Sequence, residues 1–215
     1  MLRFATIADV HIRSLTRHDE IREVFNAFVK DVKEHNIDHI FIGGDIGHSK
    51  TAQFSAEYVD LMVELINLLG DTAPTHMILG NHDLNERNKI RQDVITPVLN
   101  AVKHPNVHLY KTSGVYSIAE GCNLCVFSIF DEENWKNVEP VEGDINIACY
   151  HGGVSGARTE TDWELTGGLE LDHFAEYDAT FLGDIHKFQW LDHRDFEIEI
   201  DEDELKDYPG AIVLP

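Results

Sequence analysis

The 215 residues, 43% of them hydrophobic, suffice for one globular domain with a substantial core. A formal net charge of -22 argues against a free-standing nucleic-acid binder, which would be basic. No apolar run reaches the ~20 residues of a membrane span, and three cysteines are too few and uneven for a disulfide framework.

Leu2 to Ala8 reads as a short apolar strand that opens at Asp9-Val10-His11. It starts almost at Met1, without a signal-peptide layout, so a cytoplasmic protein is expected. Ile21, Val24, Phe25, Phe28, Val29 and Val32 then fall on one face of a helix. Asp38 to Ile42 is the next strand, closing at Gly43-Gly44-Asp45-Ile46-Gly47-His48. A second amphipathic helix carries Phe54, Tyr58, Leu61, Met62, Leu65 and Leu69 on its apolar side. Thr75 to Leu79 is a strand running into Gly80-Asn81-His82-Asp83, and Val94, Ile95, Val98, Leu99 and Val102 mark a third, shorter helix.

From Val107 the texture turns to strands: Val107 to Tyr110, Val115 to Ala119, Leu124 to Phe130 and Ile145 to Tyr150. The last of these opens at His151-Gly152-Gly153, and residues 154–169 read as a polar, Gly-rich loop over a site. Ala179 to Leu182 is a further strand, ending at Gly183-Asp184-Ile185-His186-Lys187. A βαβα half followed by a β-rich half predicts two packed sheets with helices outside. Residues 1–191 are assigned to one catalytic core. In the acidic segment 192–215 of the same domain, Phe196, Ile198 and Ile200 alternate as in an edge strand, and no cap domain is expected. Cys122, Cys125 and Cys149 are read as core thiols, since the Cys122-x-x-Cys125 spacing has no second pair to complete a zinc site.

Five strands thus end in ligand-type side chains: Asp9 and His11; Asp45 and His48; Asn81, His82 and Asp83; His151; Asp184 and His186. Strand ends at one edge of a sheet converge on a common crevice. Singly, a strand-end Asp is a turn former and a lone His a satisfied surface or core residue; five in series are not a coincidence of turns. Mixed Asp, His and Asn donors suit manganese, iron or zinc over calcium. The donors outnumber what one ion needs, so two ions sharing a carboxylate are expected, an arrangement that clamps both oxygens of a phosphate ester in displacement. Arg13, Arg17, Lys50, Arg87, Lys89, Arg91, Arg158 and Lys187 lie in or beside these loops, which makes a basic mouth on an acidic body the expectation.

The ordered set D-x-H, G-D, G-N-H-D, H and G-x-x-H resembles the calcineurin-like metallophosphoesterases over nearly the whole chain to His186. Within that superfamily, Gly43 to His48 looks like the segment of the DNA double-strand-break repair nucleases, whose bacterial form is the SbcD subunit. Arg91-Gln92-Asp93, His151 to Gly156 and Leu182 to Lys187 look like phage and large-virus members. The resemblance implies a four-layer αββα sandwich of two mixed sheets. It puts Asp9, His11, Asp45 and His186 around one ion, with Asp45 bridging to a second held also by Asn81 and His151. It makes His82 the phosphate contact or leaving-group acid, oriented by Asp83, and gives His48 a substrate-positioning role. Asp184 stands where most relatives have His in a G-H-x-H motif; as a ligand it adds charge and favours a harder ion such as Mn²⁺. Arg13, Arg87, Lys89 and Arg91 are the candidate substrate contacts.

The same resemblance implies hydrolysis of DNA phosphodiesters in repair or recombination, exonucleolytic or endonucleolytic, with an SbcC-type ATPase subunit and a homodimer as partners and no membrane. Only Tyr208 to Ala211 loosely resembles the family's Y-P-G-S segment, and the capping domain that comes after it in the family is not expected. Two other readings compete. A phosphodiesterase or phosphatase for cyclic nucleotides or dinucleotides fits the net charge better but leaves Gly44-Asp45-x-x-His48 unexplained. A non-catalytic binding subunit on the same fold would be signalled by lost ligands, yet every position is filled.

Overall fold

The computed structural model describes residues 2–49, 54–85, 91–187, 189 and 191. Its first half is β1 (Phe4–Ile7), α1 (His18–Glu34), β2 (His39–Ile42), α2 (Ala56–Gly70), β3 (Thr75–Ile78), α3 (Thr96–Val102) and β4 (Val107–Tyr110). These strands form one sheet in the order β1-β2-β3-β4, every pair parallel. The second sheet, β5 (Gly114–Ala119), β6 (Cys122–Phe127), β7 (Ile145–His151) and β8 (Ala179–Gly183), is mixed: β5 and β6 are antiparallel, the rest parallel. Of the two sheets expected to be mixed, only the second is so among the described residues. Helical crossovers join all four strands of the first, and such connections favour parallel neighbours.

Alternation along each strand sorts side chains into three cores. In β2, Ile40 and Ile42 pack with Phe25, Leu61 and Leu65 of the helices, while Phe41 faces the second sheet. In β6 and β7, Leu124, Val126, Ile147 and Cys149 face the first sheet, and Cys125, Phe127, Ala148 and Tyr150 face outward. Phe181 meets Phe4 and Phe41 between the sheets at ring separations of 5.6 and 5.1 Å. Those three cores define four layers. The outer layer beyond the second sheet is built of two 3-10 turns (Glu132–Asn137 and Leu171–Phe174) and the loop after His151, rather than long helices. All three cysteines are free and buried, as the core reading expects.

Local chemistry sets the boundaries. Ser55 caps α2, its hydroxyl accepting from the Tyr58 N–H at 3.0 Å. The third helix begins two residues later than its apolar pattern. Asp93 accepts from the Thr96 N–H at 2.6 Å and its hydroxyl at 2.7 Å, and Pro97 sits in the first turn. Val94 instead donates to the Asp83 carbonyl, tying this segment to the loop after β3. Strand β6 stops at Phe127, where the Ser128 hydroxyl and carbonyl are engaged by Lys111 and Trp135. Between the sheets, His76 joins His39 at 3.0 Å and Tyr110 at 2.9 Å; burial, with His39 and His108 nearby, lowers the His76 ring to about 3 and keeps it neutral. The topology leaves the C-terminal ends of β1, β2, β3, β7 and β8 at one edge. No helix among the described residues is long and apolar enough to cross a membrane.

Candidate metal centre

The backbone turns sharply where these strands end. Asp9, His11, Asp45 and Asp184 all have positive φ, at 55°, 50°, 50° and 76°. Left-handed backbone is uncommon outside glycine, is best tolerated by residues such as Asp, Asn and His, and clusters where surrounding structure holds a functional geometry. Here the sheet supplies that hold: Asp9 and His11 N–H groups donate to the carbonyls of Gly44 and Asp45 at 3.1 and 2.9 Å. The Asp184 N–H donates to both carboxylate oxygens of Asp9 at 3.2 and 3.1 Å, linking the last strand to the first. Glycine at position 80 is a steric requirement, because a Cβ there would collide with the backbone and carboxylate of Asp45.

Asp45 is buried at the centre, and its two oxygens face opposite ways. Oδ2 lies 3.7 Å from His11 Nε2, whereas Oδ1 lies 3.4 Å from His151 Nε2 and accepts from the His82 N–H at 2.7 Å. On the Oδ2 side, Asp9, His11 and His186 bring one donor atom each within 4.8 Å of the others. On the Oδ1 side stand His151, Asp184 (Oδ1 3.8 Å from His151 Nε2) and Asn81, whose amide donates to Asp184 at 3.2 Å. All seven residues expected as ligands are therefore brought together, in two groups meeting at Asp45.

The electrostatics of the centre call for cations. His151 is 1% exposed; its Nδ1 sits 2.7 Å from the Gly43 carbonyl, and its Nε2 has no hydrogen-bond partner. A ring held through one nitrogen by a carbonyl, with the other aimed at carboxylates, is the arrangement of a metal-ligating imidazole. Burial lowers its basicity, but the Asp45 and Asp9 carboxylates outweigh burial and carry it up to about 9. Burial raises both Asp9 and Asp184, whose carboxylates are crowded with Asp45. Burial also lowers His11 to about 4, a neutral ring suited to ligation, and its Nδ1 is another buried nitrogen with no hydrogen-bond partner. These residues fit two divalent ions, which would supply Lewis-acid charge and an activated water.

His82 lies at the outer side of this cluster. Its ring centroid is 4.8 Å from that of His11, and its Nδ1 is 2.8 Å from the His48 carbonyl. The expectation that Asp83 orients this ring is corrected. Asp83 is wholly buried and accepts from the N–H groups of Gly47, Gly80 and Ile46 at 2.8, 3.0 and 3.3 Å, pinning the Gly43–His48 loop to the Gly80–Asp83 loop. The carbonyl of His48 orients His82, and the exposed His48 ring stacks beside it at 6.1 Å. We expect Asp83→Ala to destabilise the fold by on the order of 3 kcal/mol, since it strands three buried N–H groups. Thermal unfolding should drop by about 6–12 °C, whereas Asp83 as a ring-orienting residue predicts an unchanged melting temperature and lost turnover.

A cleft of about 990 Å³ opens over the cluster, walled by Arg13, Thr16 and Arg17 on one side and by Gly153, Thr159, Glu160, Thr161 and Leu165 on the other. Of the four substrate contacts expected, Arg13 lines it. Arg91 is exposed but forms no part of the wall, and Arg87 and Lys89 fall outside the described residues, as does the acidic segment 192–215. The basic mouth is correspondingly modest: Arg158 and Lys187 pair with Glu164 and Asp162, and Arg17 with Glu20. Sequence reasoning missed Thr159, Glu160 and Thr161; the Gly-rich loop was the only signal for them.

The profile of the calcineurin-like phosphoesterases matches residues 2–209. The chain belongs to that family. An uncharacterized protein of Acanthamoeba polyphaga mimivirus is 35% identical over 200 residues, covering 86% of this chain and 15% of the viral protein. The DNA double-strand break repair protein Mre11 of Methanopyrus kandleri is 23% identical over 205 residues, 86% of this chain and 44% of that protein. Exonuclease subunit 1 of Enterobacteria phage T4 is 27% identical over 135 residues, 57% of this chain and 36% of the subunit. The chain spans less than half the length of each of these curated relatives. As a calcineurin-like phosphoesterase it is a member of a metal-dependent hydrolase family, and its candidate ligand clusters match that chemistry.

Proposed function

We propose that this calcineurin-like phosphoesterase hydrolyses DNA phosphodiesters, with two divalent ions, Mn²⁺ first among them, held by Asp9, His11, Asp45 and His186 and by Asp45, Asn81, His151 and Asp184. The observation that carries the reading is the division of Asp45, one oxygen toward each donor group. Relatives named for DNA repair and exonuclease activity support DNA as substrate. In this reading His82 protonates the leaving oxygen or contacts the phosphate, His48 positions the strand, and Arg13 meets a flanking phosphate. An SbcC-type ATPase and a second copy of the chain are the partners it brings with it, in a role in DNA repair or recombination within the cytoplasm of a cell or viral host.

A second reading, a phosphodiesterase for cyclic nucleotides or dinucleotides, draws support from the net charge of -22 and the modest basic wall. The deciding experiment incubates purified protein and Mn²⁺ with labelled linear DNA, bis-p-nitrophenyl phosphate and a cyclic dinucleotide. Cleavage of DNA is expected; cleavage of the small esters with DNA untouched selects the second reading, and hydrolysis of none selects a binding subunit.

Asp184 tests the second ion's site. Asp184→His exchanges a hard oxygen donor for imidazole, so the binding preference for Zn²⁺ over Mn²⁺, measured by calorimetric titration, should rise about tenfold, a change typical of altered surroundings at a bound metal. Unchanged preference, with full metal content in Asp184→Ala, would remove Asp184 from the ligand set.

A further inference from the structure

The loop after His151 is internally braced, closed at its base by a parallel bridge and ending in a hairpin at Arg158 and Glu164. Ser155 and Leu169 N–H groups bond across its base to Leu169 and Gly153, Leu165 and Ala157 pair at 2.7 Å, and Arg158 bridges to Glu164. At its tip the Thr159 N–H donates to the Trp163 carbonyl and the Trp163 N–H to the Thr159 hydroxyl, closing a turn through Asp162 at φ 62°. The segment after His186 clamps the hairpin: Gln189 accepts from the Arg158 N–H and donates to its carbonyl, both at 2.8 Å, and Lys187 binds Asp162. The tip is thereby anchored to the strand end that carries Asp184 and His186.

Trp163 is 72% exposed on this braced tip, two residues from Thr161 in the cleft wall. Leu15, 69% exposed, lies in the segment between Arg13 and Arg17, which line the opposite wall. The hairpin's carboxylates are engaged with cations: Asp162 with Lys187 and Glu164 with Arg158, while Glu160 turns inward to 4.0 Å from the His186 ring. What the tip presents outward is an indole, near a cleft whose opposite wall carries Arg13 and Arg17, the latter paired with Glu20. Exposed aromatic rings next to a phosphate-binding groove bind unpaired bases by stacking, without reading sequence.

We propose that Trp163 is a stacking platform for an unpaired base, so that the cleft takes single-stranded or frayed DNA in preference to intact duplex. The assignment rests on the proposed hydrolysis of DNA and adds to it the form of the substrate. Stacking of this kind is worth about 1–3 kcal/mol per base, a factor of roughly 5–150. The test is a cycle on the full chain with a short single-stranded oligonucleotide and its counterpart carrying abasic sites near the scissile bond. Bis-p-nitrophenyl phosphate, which has no base, serves as reference. Trp163→Ala should lower kcat/KM on the oligonucleotide relative to the ester by about tenfold or more through KM, and Trp163→Phe should restore most of it. Base removal should depress wild type by the same factor and the alanine variant hardly at all. Additive losses, or an unchanged ratio in Trp163→Ala while wild type cleaves the oligonucleotide, overturn the platform and leave the nuclease reading intact. Wild type that hydrolyses the ester but neither binds nor cleaves the oligonucleotide overturns both.

Discussion

Asp45→Ala should reduce hydrolysis of every substrate below detection and leave well under two divalent ions per chain by metal analysis. Each Asp45 oxygen faces a different donor group, so the substitution removes a ligand from both at once. It also removes the acceptor for the His82 N–H and leaves the buried His151 ring without its nearest carboxylate. His186→Ala and Asn81→Ala each touch a single group and should retain part of the metal. Near-normal activity with two ions retained in Asp45→Ala would end the bridging assignment.

His82→Ala should keep both ions and lose turnover by about 10²–10⁴-fold, the usual contribution of a general acid. The ring is well placed for that role, because its Nδ1 is taken by the His48 carbonyl and the rest of it faces His11 and Asp45 at the floor of the cleft. An ester with a nitrophenolate leaving group departs without a proton and should suffer less than DNA, whose deoxyribose oxygen leaves poorly as an anion. His48→Ala provides the contrast: the exposed ring predicts a larger loss on DNA than on small esters, with metals intact. His11, Asp45 and His82 also present donors within 4.8 Å of one another, so loss of an ion in His82→Ala would make this ring a ligand instead.

Much of the fold and the centre was legible in the order of residues. Apolar runs ending in Asp, His and Asn announce strands that surface at a polar edge, and period-two and period-3.6 patterns separate the sheets from α1 and α2. The cluster of strand-end donors could be chosen without coordinates, because a cation needs clustered donors and strand ends are where a parallel sheet gathers them, and the family resemblance picked the seven candidate ligands from it.

Other features needed the folded chain. Whether Asp83 serves a ring or a pair of loops depends on which N–H groups meet its carboxylate, and those of Ile46 and Gly47 lie some 36 residues away in sequence. The late start of α3 is due to Asp93 and Pro97, not to the apolar period that includes Val94 and Ile95. Charge counted along the motif loops suggested a basic mouth, but Arg158 and Lys187 are spent on the hairpin's own carboxylates. The exposure of Trp163 was equally hidden, for exposure depends on long-range packing that no local pattern records. The sequence by itself determined the donor chemistry, the alternation of faces and the family. Tertiary structure alone decided which donors stand together, which polar groups are satisfied internally and which side chains line the cleft, since each depends on contacts between segments far apart in the chain.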